Sequence, residues 1–380
     1  MREDAKILVT LCVAEFLSML VWFNYSAVLP IVSEEWGLDG RMNGRLIGAF
    51  QAGYVIAVIV TGVLSDRIGG RKTFVISAIE TGICGVGFSL FAQGYTSGLI
   101  WRTLAGLGQG GLYVPGMRVI SEWYPARERG KALGIYTSVL VAAYAAAYYL
   151  AGPIGAKYSW RLAIFVTSVT AFPGAFLVLL LVKDRPAHEG GVAHQPMETV
   201  AAWRKSIGLM RAVLFSRPWL LVTGAYMGHM WELYAMYGWI GAYLTACAKV
   251  LGMPMARAVS LGSLISATCI LMGAFSPAVG GVLSDRFGRG KIILLFLAIS
   301  ISCSLTYGRL YGLPLVVLGI VGLVYGFAVV ADSAVYKAAV ADFVPEEALG
   351  TALGMQSFLG FGMSIISPCI FGAVLDTHGW

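Results

Sequence analysis

The chain alternates long apolar runs with short polar segments. Runs long enough to cross a bilayer as helices, about 20 residues each, lie near 7–32, 45–64, 73–93, 98–120, 131–152 and 160–182. A second set follows near 218–246, 258–282, 291–308, 313–335 and 349–372. The longest polar segment, 183–216, separates the sets and carries Pro186, Gly190, Gly191 and Pro196 in its first part. Over 199–215, Val200, Trp203, Ile207, Met210 and Leu214 recur at helical spacing, with Arg204, Lys205 and Arg211 elsewhere. This pattern predicts an amphipathic helix on an anionic membrane surface, a plain linker being the alternative.

The polar breaks repeat. Gly62-Val63-Leu64-Ser65-Asp66-Arg67-Ile68-Gly69-Gly70-Arg71-Lys72 returns 219 residues later as Gly281-Val282-Leu283-Ser284-Asp285-Arg286-Phe287-Gly288-Arg289-Gly290-Lys291. At an offset of 220, Glu122 matches Asp342, Pro125 matches Pro345 and Trp160 matches Trp380. Two copies of one unit explain this better than chance. Trp160 opens the sixth run, so Trp380 is expected to open a twelfth, with an eleven-helix form as the alternative. The predicted fold is an all-α polytopic membrane protein of two pseudo-symmetric six-helix bundles, the second lacking its last helix in this chain. The expected divisions are 1–185, an N-terminal transmembrane bundle, 186–216, a cytoplasmic linker, and 217–380, a C-terminal transmembrane bundle truncated before helix twelve.

Composition narrows the class. Only 12% of the 380 residues are charged and 58% are hydrophobic, against about 25% charged in globular proteins. The net charge of +7 belongs to loops and does not indicate nucleic-acid binding. With the N-terminus inside, cytoplasmic segments hold 19 of the 27 Lys and Arg residues and outer segments 7; Arg102 lies within a span. That asymmetry places the N-terminus in the cytoplasm of a plasma-membrane protein. The six cysteines are scattered, without metal-site spacing or a disulfide framework.

The duplicated polar segment resembles the loop between the second and third helices of the major facilitator superfamily, and the likeness extends over nearly the whole chain. Gly70 and Gly290 stand where that family usually has a basic residue. The resemblance implies two bundles around a midplane cavity, with alternating access by rocking of the halves. It also implies a cytoplasmic gate latch formed by Gly62, Asp66, Arg67 and Arg71 in one copy and Asp285, Arg286 and Arg289 in the other. Glu122 and Asp342 are the expected acidic partners. Charges that merely fix topology are the alternative.

Within the spans, Arg102 followed by Gly106 and Gly108 resembles the family's helix-four motif, found in proton-coupled members. A snorkelling arginine is the alternative. Gly106, Gly108 and Gly111 also fit a dinucleotide fingerprint, but no strand precedes them, and close helix packing explains them better. Gly152-Pro153 resembles part of an antiporter motif and fits a helix kink equally well. Asp332 and Lys337, near a helix end, are expected to serve the gate. Glu15 and Trp22 lie seven residues apart, as do Glu232 and Trp239. Each acid shares a helical face with its Trp, so both faces are expected to line the cavity. Both acids are then candidate proton carriers, with packing as the alternative. His229 is expected to pair with Glu232, and Tyr25 and Tyr113 join the aromatic residues that suggest an organic solute. We therefore expect a monomeric secondary transporter of a small organic solute in the lipid bilayer, proton-coupled, without cofactor or metal. The alternatives are a proton antiporter exporting drugs or metabolites and a non-transporting membrane sensor. No enzyme motif is present.

Overall fold

In the computed structural model, residues 2–183 and 208–380 are described. They form two helical halves. In the first, α1 (Glu3–Met19) and α2 (Val21–Trp36) make one span, followed by α3 (Gly40–Ile68) and α4 (Gly70–Phe91). Next come α5 (Tyr95–Gln109), α6 (Tyr113–Trp123), α7 (Ala126–Lys157), α8 (Trp160–Val169) and α9 (Ala171–Leu181). The second half holds α10 (Arg217–Val250), α11 (Met255–Met272), α12 (Ser276–Phe287), α13 (Arg289–Tyr307), α14 (Leu315–Ala331), α15 (Ser333–Phe343) and α16 (Glu346–His378). Among the described residues, nine helical spans are long and apolar enough to cross a membrane. The two other expected spans are helical but less apolar. One is the α5–α6 pair, interrupted at 110–112, and the other is α10, which carries His229, Glu232 and many Trp and Tyr side chains.

Helix boundaries follow local chemistry. The Asp39 carboxylate caps α3 by accepting from the Met42 amide, and Ser159 caps α8 through Leu162. Positive φ is confined to glycines, among them Gly37 and Gly252 after the first span of each half and Gly69 and Gly288 in the two loop motifs. These landmarks give the register of the repeat. Gly37 and Gly252 are offset by 215 residues, Gly69 and Gly288 by 219. The difference of four sits in the second span, which is 29 residues in the first half and 33 in the second. The longer copy absorbs it at the break between α11 and α12.

The halves meet along two seams, α3 against α16 and α7 against α11, with α2 against α10 between them. The α3 seam is built on Gly40, Gly44 and Gly48, one face at four-residue spacing. A Cβ on Gly44 would lie 2.3 Å from the Pro368 carbonyl oxygen, and one on Gly48 2.7 Å from that of Ile365. On the α7 seam, Gly152 packs against Ser263, whose hydroxyl donates to the Ala27 carbonyl at 3.0 Å. Among the described residues, every hydrogen bond, ion pair and ring contact joining the halves lies on the side away from the loop motifs. The halves are therefore closed at that far end and parted at the motif end.

Glycines also bring α5 close to its neighbours, as expected of the glycine run. Gly106 abuts the Phe50 carbonyl, and Gly108 abuts Thr81. In the first half α8 and α9 pack on the spans α1–α2, α4 and α7. The corresponding helices of the second half, α10, α13 and α16, border an open groove of about 540 Å³. Of the amphipathic helix expected over 199–215, residues 199–207 lie outside the described residues. Residues 208–214 are helical, and Leu209, Val213 and Leu214 pack against the second half around Val340, Val344 and Ala348.

Candidate functional site

Aromatic side chains from both halves close the far end at mid-depth. The Trp22 ring meets Tyr54 at 4.6 Å, Phe50 at 5.4 Å, Tyr144 at 5.2 Å and, across the seam, Tyr234 at 6.4 Å. Phe23 meets Tyr237 at 5.7 Å, and Tyr54 meets Phe361 at 5.2 Å. The Tyr148 hydroxyl donates to the Tyr237 carbonyl at 2.5 Å. This lid leaves buried polar atoms without hydrogen-bond partners, including the Trp22 Nε1 and the Tyr237 hydroxyl. Unpaired buried polar atoms are uncommon and call for an explanation. Glu15 lies on the motif side of the lid, on the same face as Trp22. It is fully buried, neither carboxylate oxygen has a partner in hydrogen-bonding geometry, and the Tyr136 hydroxyl stands beside it. Tyr113 stacks on Tyr136 at 5.8 Å and shares a hydrogen bond with Thr137 at 2.8 Å. Glu15 and Trp22 thus share a face as expected from their spacing, and Tyr113 lies beside them.

Glu232 and Trp239 are not part of this group. They line the groove bordered by α10, α13 and α16, on the side of α10 away from Tyr234 and Tyr237. The reason is register. At the offset of 215, Glu15 matches Met230 and Trp22 matches Tyr237. The equal seven-residue spacing pairs residues two positions out, and two residues turn a helix by about 200°. Trp239 instead donates to the Pro368 carbonyl at 3.2 Å, and Glu232 accepts from Ser300 at 3.0 Å.

His229 does not pair with Glu232. Its Nδ1 lies 2.9 Å from an Asp332 carboxylate oxygen, and its Nε2 lies 2.9 Å from the Ser333 hydroxyl. The Tyr336 hydroxyl donates to the other Asp332 oxygen at 2.8 Å. Asp332, expected at the gate, is buried in this network. Arg102 lies away from the opening. It is buried in the first half, its guanidinium 4.3 Å from the Phe50 ring centre and 5.3 Å from that of Tyr25. Tyr25 donates to Asn43 at 2.9 Å within the same half. Two ring faces hold this cation.

The loop motifs are tied within each half, not across. In the second, Arg289 contacts Asp285 and reaches Asp342 at 3.3 Å. In the first, Arg118 from α6 contacts Asp66 and reaches Glu122 at 3.1 Å. The arginine comes from opposite members of the pair, because Gly70 matches Arg289 and Arg118 matches Ala338. Gly70 cannot hold it: a Cβ there would lie 2.8 Å from the Pro115 carbonyl oxygen. Arg71 donates to the Leu179 carbonyl at 2.5 Å. Arg67 and Arg286 are exposed, and Gly62 faces open space.

Lys337, expected to serve the gate, is exposed on the face of α15 opposite Val335, Tyr336 and Ala339, yet protein surrounds it, so it faces the opening between the halves. Two groups were missed. Asp376 accepts from the amides of Gly40 at 2.6 Å and Arg41 at 2.9 Å, clamping α16 to the start of α3. Arg118 is the second. The glycine spacing on α3 and the exchange of Gly70 for Arg118 were legible signals.

The profile of the Major Facilitator Superfamily matches residues 11–380. The chain belongs to that superfamily. It is a multi-pass membrane transporter and not an enzyme. Relatives include the probable sulfoacetate transporter SauU of Cupriavidus necator, 26% identical over 98% of this chain and 87% of that protein. The hexuronate transporter of Bacillus subtilis is 23% identical over 100% of this chain and 89% of its own length. Among solved structures, a bacterial homologue of the human lysosomal transporter Spinster, inward-facing and unoccupied, aligns with a TM-score of 0.81 at 16% identity. That alignment covers 99% of this chain and 83% of the homologue. A D-xylose–proton symporter aligns at 0.74 and 18% identity, covering 99% and 91%. These superfamily members share the two-bundle helical fold predicted for this chain.

Proposed function

We propose that this transporter moves a small organic anion across the plasma membrane, as a monomer in the bilayer, by alternating access coupled to protons. The observation that carries this reading is one lysine, Lys337, facing the opening below an aromatic lid that joins both halves. A lone cation in such a setting attracts an anionic group, while the rings offer apolar surface to a carbon skeleton. Relatives named for sulfoacetate, hexuronate and galactarate/D-glucarate, all acids, support the class. The loop charges place the motif end and the N-terminus in the cytoplasm, so the conformation described is open inward. Closure there would bring Gly62, Asp66, Arg67 and Arg71 toward the opposite half, together with Asp285, Arg286 and Arg289, as a latch. Glu122 and Asp342 hold these loops in place from α6 and α15.

Purified protein in proteoliposomes tests this. Labelled sulfoacetate, D-glucuronate and galactarate should each be tried in exchange and under an imposed pH gradient. Saturable uptake of at least one acid, blocked by the others and not by neutral sugars, is expected. Uptake of a neutral solute unaffected by Lys337→Gln would refute the anion reading. A gradient of the opposite sign driving uptake would make the protein an exporter, and no exchange of any solute would favour a sensor.

A further inference from the structure

We propose that the proton carried with the solute binds in the second half, at the His229–Asp332 pair, through the Ser333 hydroxyl. This deepens the transport reading and rests on its proton coupling. Both side chains of the pair are 3% exposed, so the pair lies out of contact with solvent and lipid. A buried imidazole beside a carboxylate is costly if either stands alone, and removing one partner leaves an uncompensated charge.

The contacts on the pair suit two protonation states of one geometry. With His229 neutral, its Nδ1 lies 2.9 Å from Asp332 Oδ1, out of line for a hydrogen bond, and its Nε2 accepts from the Ser333 hydroxyl. With His229 protonated, the carboxylate stays at that ion-pair distance and Nε2–H donates to the same hydroxyl, which can accept as readily. Charging the imidazole therefore needs only rotation of one hydroxyl. Tyr336 holds the second Asp332 oxygen in both states. A proton arrives when Ser333 passes its own to Nε2 and takes one from water. The imidazolium formed is balanced by the carboxylate, and the serine ends unchanged.

Ser333 is partly exposed and lies one helical turn from Lys337, so the two share the face of α15 that borders the opening. The imidazole thus has a path to water on the open side through one hydroxyl. Asp332 sits where α14 ends and α15 begins. A bend at this junction during closure would move Ser333 and Lys337 relative to α14. Proton release and solute release would then be one movement.

The surroundings contain a second acid. Facing the pair are Tyr226 and Glu232 from α10 and Tyr336 from α15, with Tyr325 from α14 beside Glu232. From α13 come Ser300, bonded to Glu232, and Cys303 near the same carboxylate. The adjoining stretches 276–284 of α12 and 349–368 of α16 contain no ionisable side chain. Among the described residues no lysine or arginine forms an ion pair in this cluster.

The chain has four histidines, at 188, 194, 229 and 378, so the site can be watched directly. ¹⁵N-histidine NMR of the intact protein in nanodiscs, with His229→Gln for assignment, should show the His229 ring taking up a proton reversibly as pH is varied. Asp332→Asn should move the midpoint of that uptake. A ring that stays in one state throughout, or a midpoint unmoved by Asp332→Asn, overturns the proposal without reference to any solute. In proteoliposomes, with whichever of sulfoacetate, D-glucuronate or galactarate exchanges, His229→Gln should exchange within about twofold of wild type. Its accumulation driven by a pH gradient should fall at least tenfold. Ser333→Ala, which removes no charge, should slow gradient-driven uptake and leave exchange intact. Equal loss of exchange and accumulation in both variants, with lowered melting temperature, would assign the pair a structural role and overturn the proposal. Wild-type exchange without any response to a pH gradient would refute proton coupling itself, while the NMR titration still decides whether the pair binds a proton.

Discussion

The closed far end depends on backbone contact at Gly44, so a single methyl group there should open it. In the closed form a Cβ at this position would lie 2.3 Å from the Pro368 carbonyl oxygen and 2.9 Å from the Cys369 Cα. Ordinary contact requires separation of α3 from α16 by roughly 1 Å more. Both partners are backbone within helices, so no side chain can rotate away. Overpacking of this kind costs about 1–3 kcal/mol, which corresponds to a roughly 5- to 150-fold shift from the closed toward the open arrangement. A native reporter lies in the seam: the Cys369 Sγ is 3.4 Å from the Gly44 carbonyl oxygen. With Cys12, Cys84, Cys247, Cys269 and Cys303 replaced by Ser or Ala, an impermeant maleimide applied from the far side reads seam opening. Gly44→Ala should raise the labelling rate of Cys369 by that factor. Gly281→Ala, where a Cβ meets nothing within 4 Å, should not change it. If Gly44→Ala folds with wild-type melting and labels at the wild-type rate, the glycine contact does not hold the far end closed.

Asp376→Ala should open the same seam by a smaller amount, about 1–2 kcal/mol or roughly 5- to 30-fold, read by the same labelling. Arg118→Ala and Arg289→Ala should each lower stability by under about 1 kcal/mol, since the ion pairs are solvent-accessible; thermal melting measures this. Gly70→Arg should fail to rescue Arg118→Ala and should destabilise further, because its Cβ meets the Pro115 carbonyl. Lys337→Gln should weaken half-saturation for an organic acid at least tenfold while Lys337→Arg largely restores it, measured by uptake in proteoliposomes.

The repeat, the span positions and the glycine packing could be read from the sequence because each is local or periodic. The central site could be read only by half. Glu15 and Trp22 share a face by helical geometry alone, and the structure keeps them together. The matching spacing of Glu232 and Trp239 misled, since facing depends on register between halves and the four-residue surplus of the second span is invisible until Gly37 and Gly252 are seen to end equivalent helices. His229 and Asp332 are 103 residues apart, on helices whose relative rotation no one-dimensional pattern supplies. Arg118 was within reach. Its absence from the matching position, Ala338, and the missing basic residue at Gly70 are two halves of one exchange.

A transporter that alternates needs a closed end that is specific but weak, because neither state can lie far below the other. The far seam meets that demand by its composition. Among the described residues, two amides on Asp376, the Tyr148 hydroxyl and the Ser263 hydroxyl supply its hydrogen bonds apart from a thiol contact. Each adds only about 0.5–1.5 kcal/mol net, because water replaces it on opening. Among the described residues the only ion pair across it, Arg41 to Asp376 at 3.8 Å, is exposed and adds little. Shape therefore carries the specificity: Gly40, Gly44 and Gly48 let two backbones touch, an arrangement no other residue at those positions reproduces. The strong interactions lie inside each half, in the Arg102 cage and the His229 network, where they keep each bundle rigid as the seam parts. It follows that substitutions in the seam should change which side is open, and substitutions in the networks should change stability or coupling. That separation is what rigid halves rocking on a weak contact require.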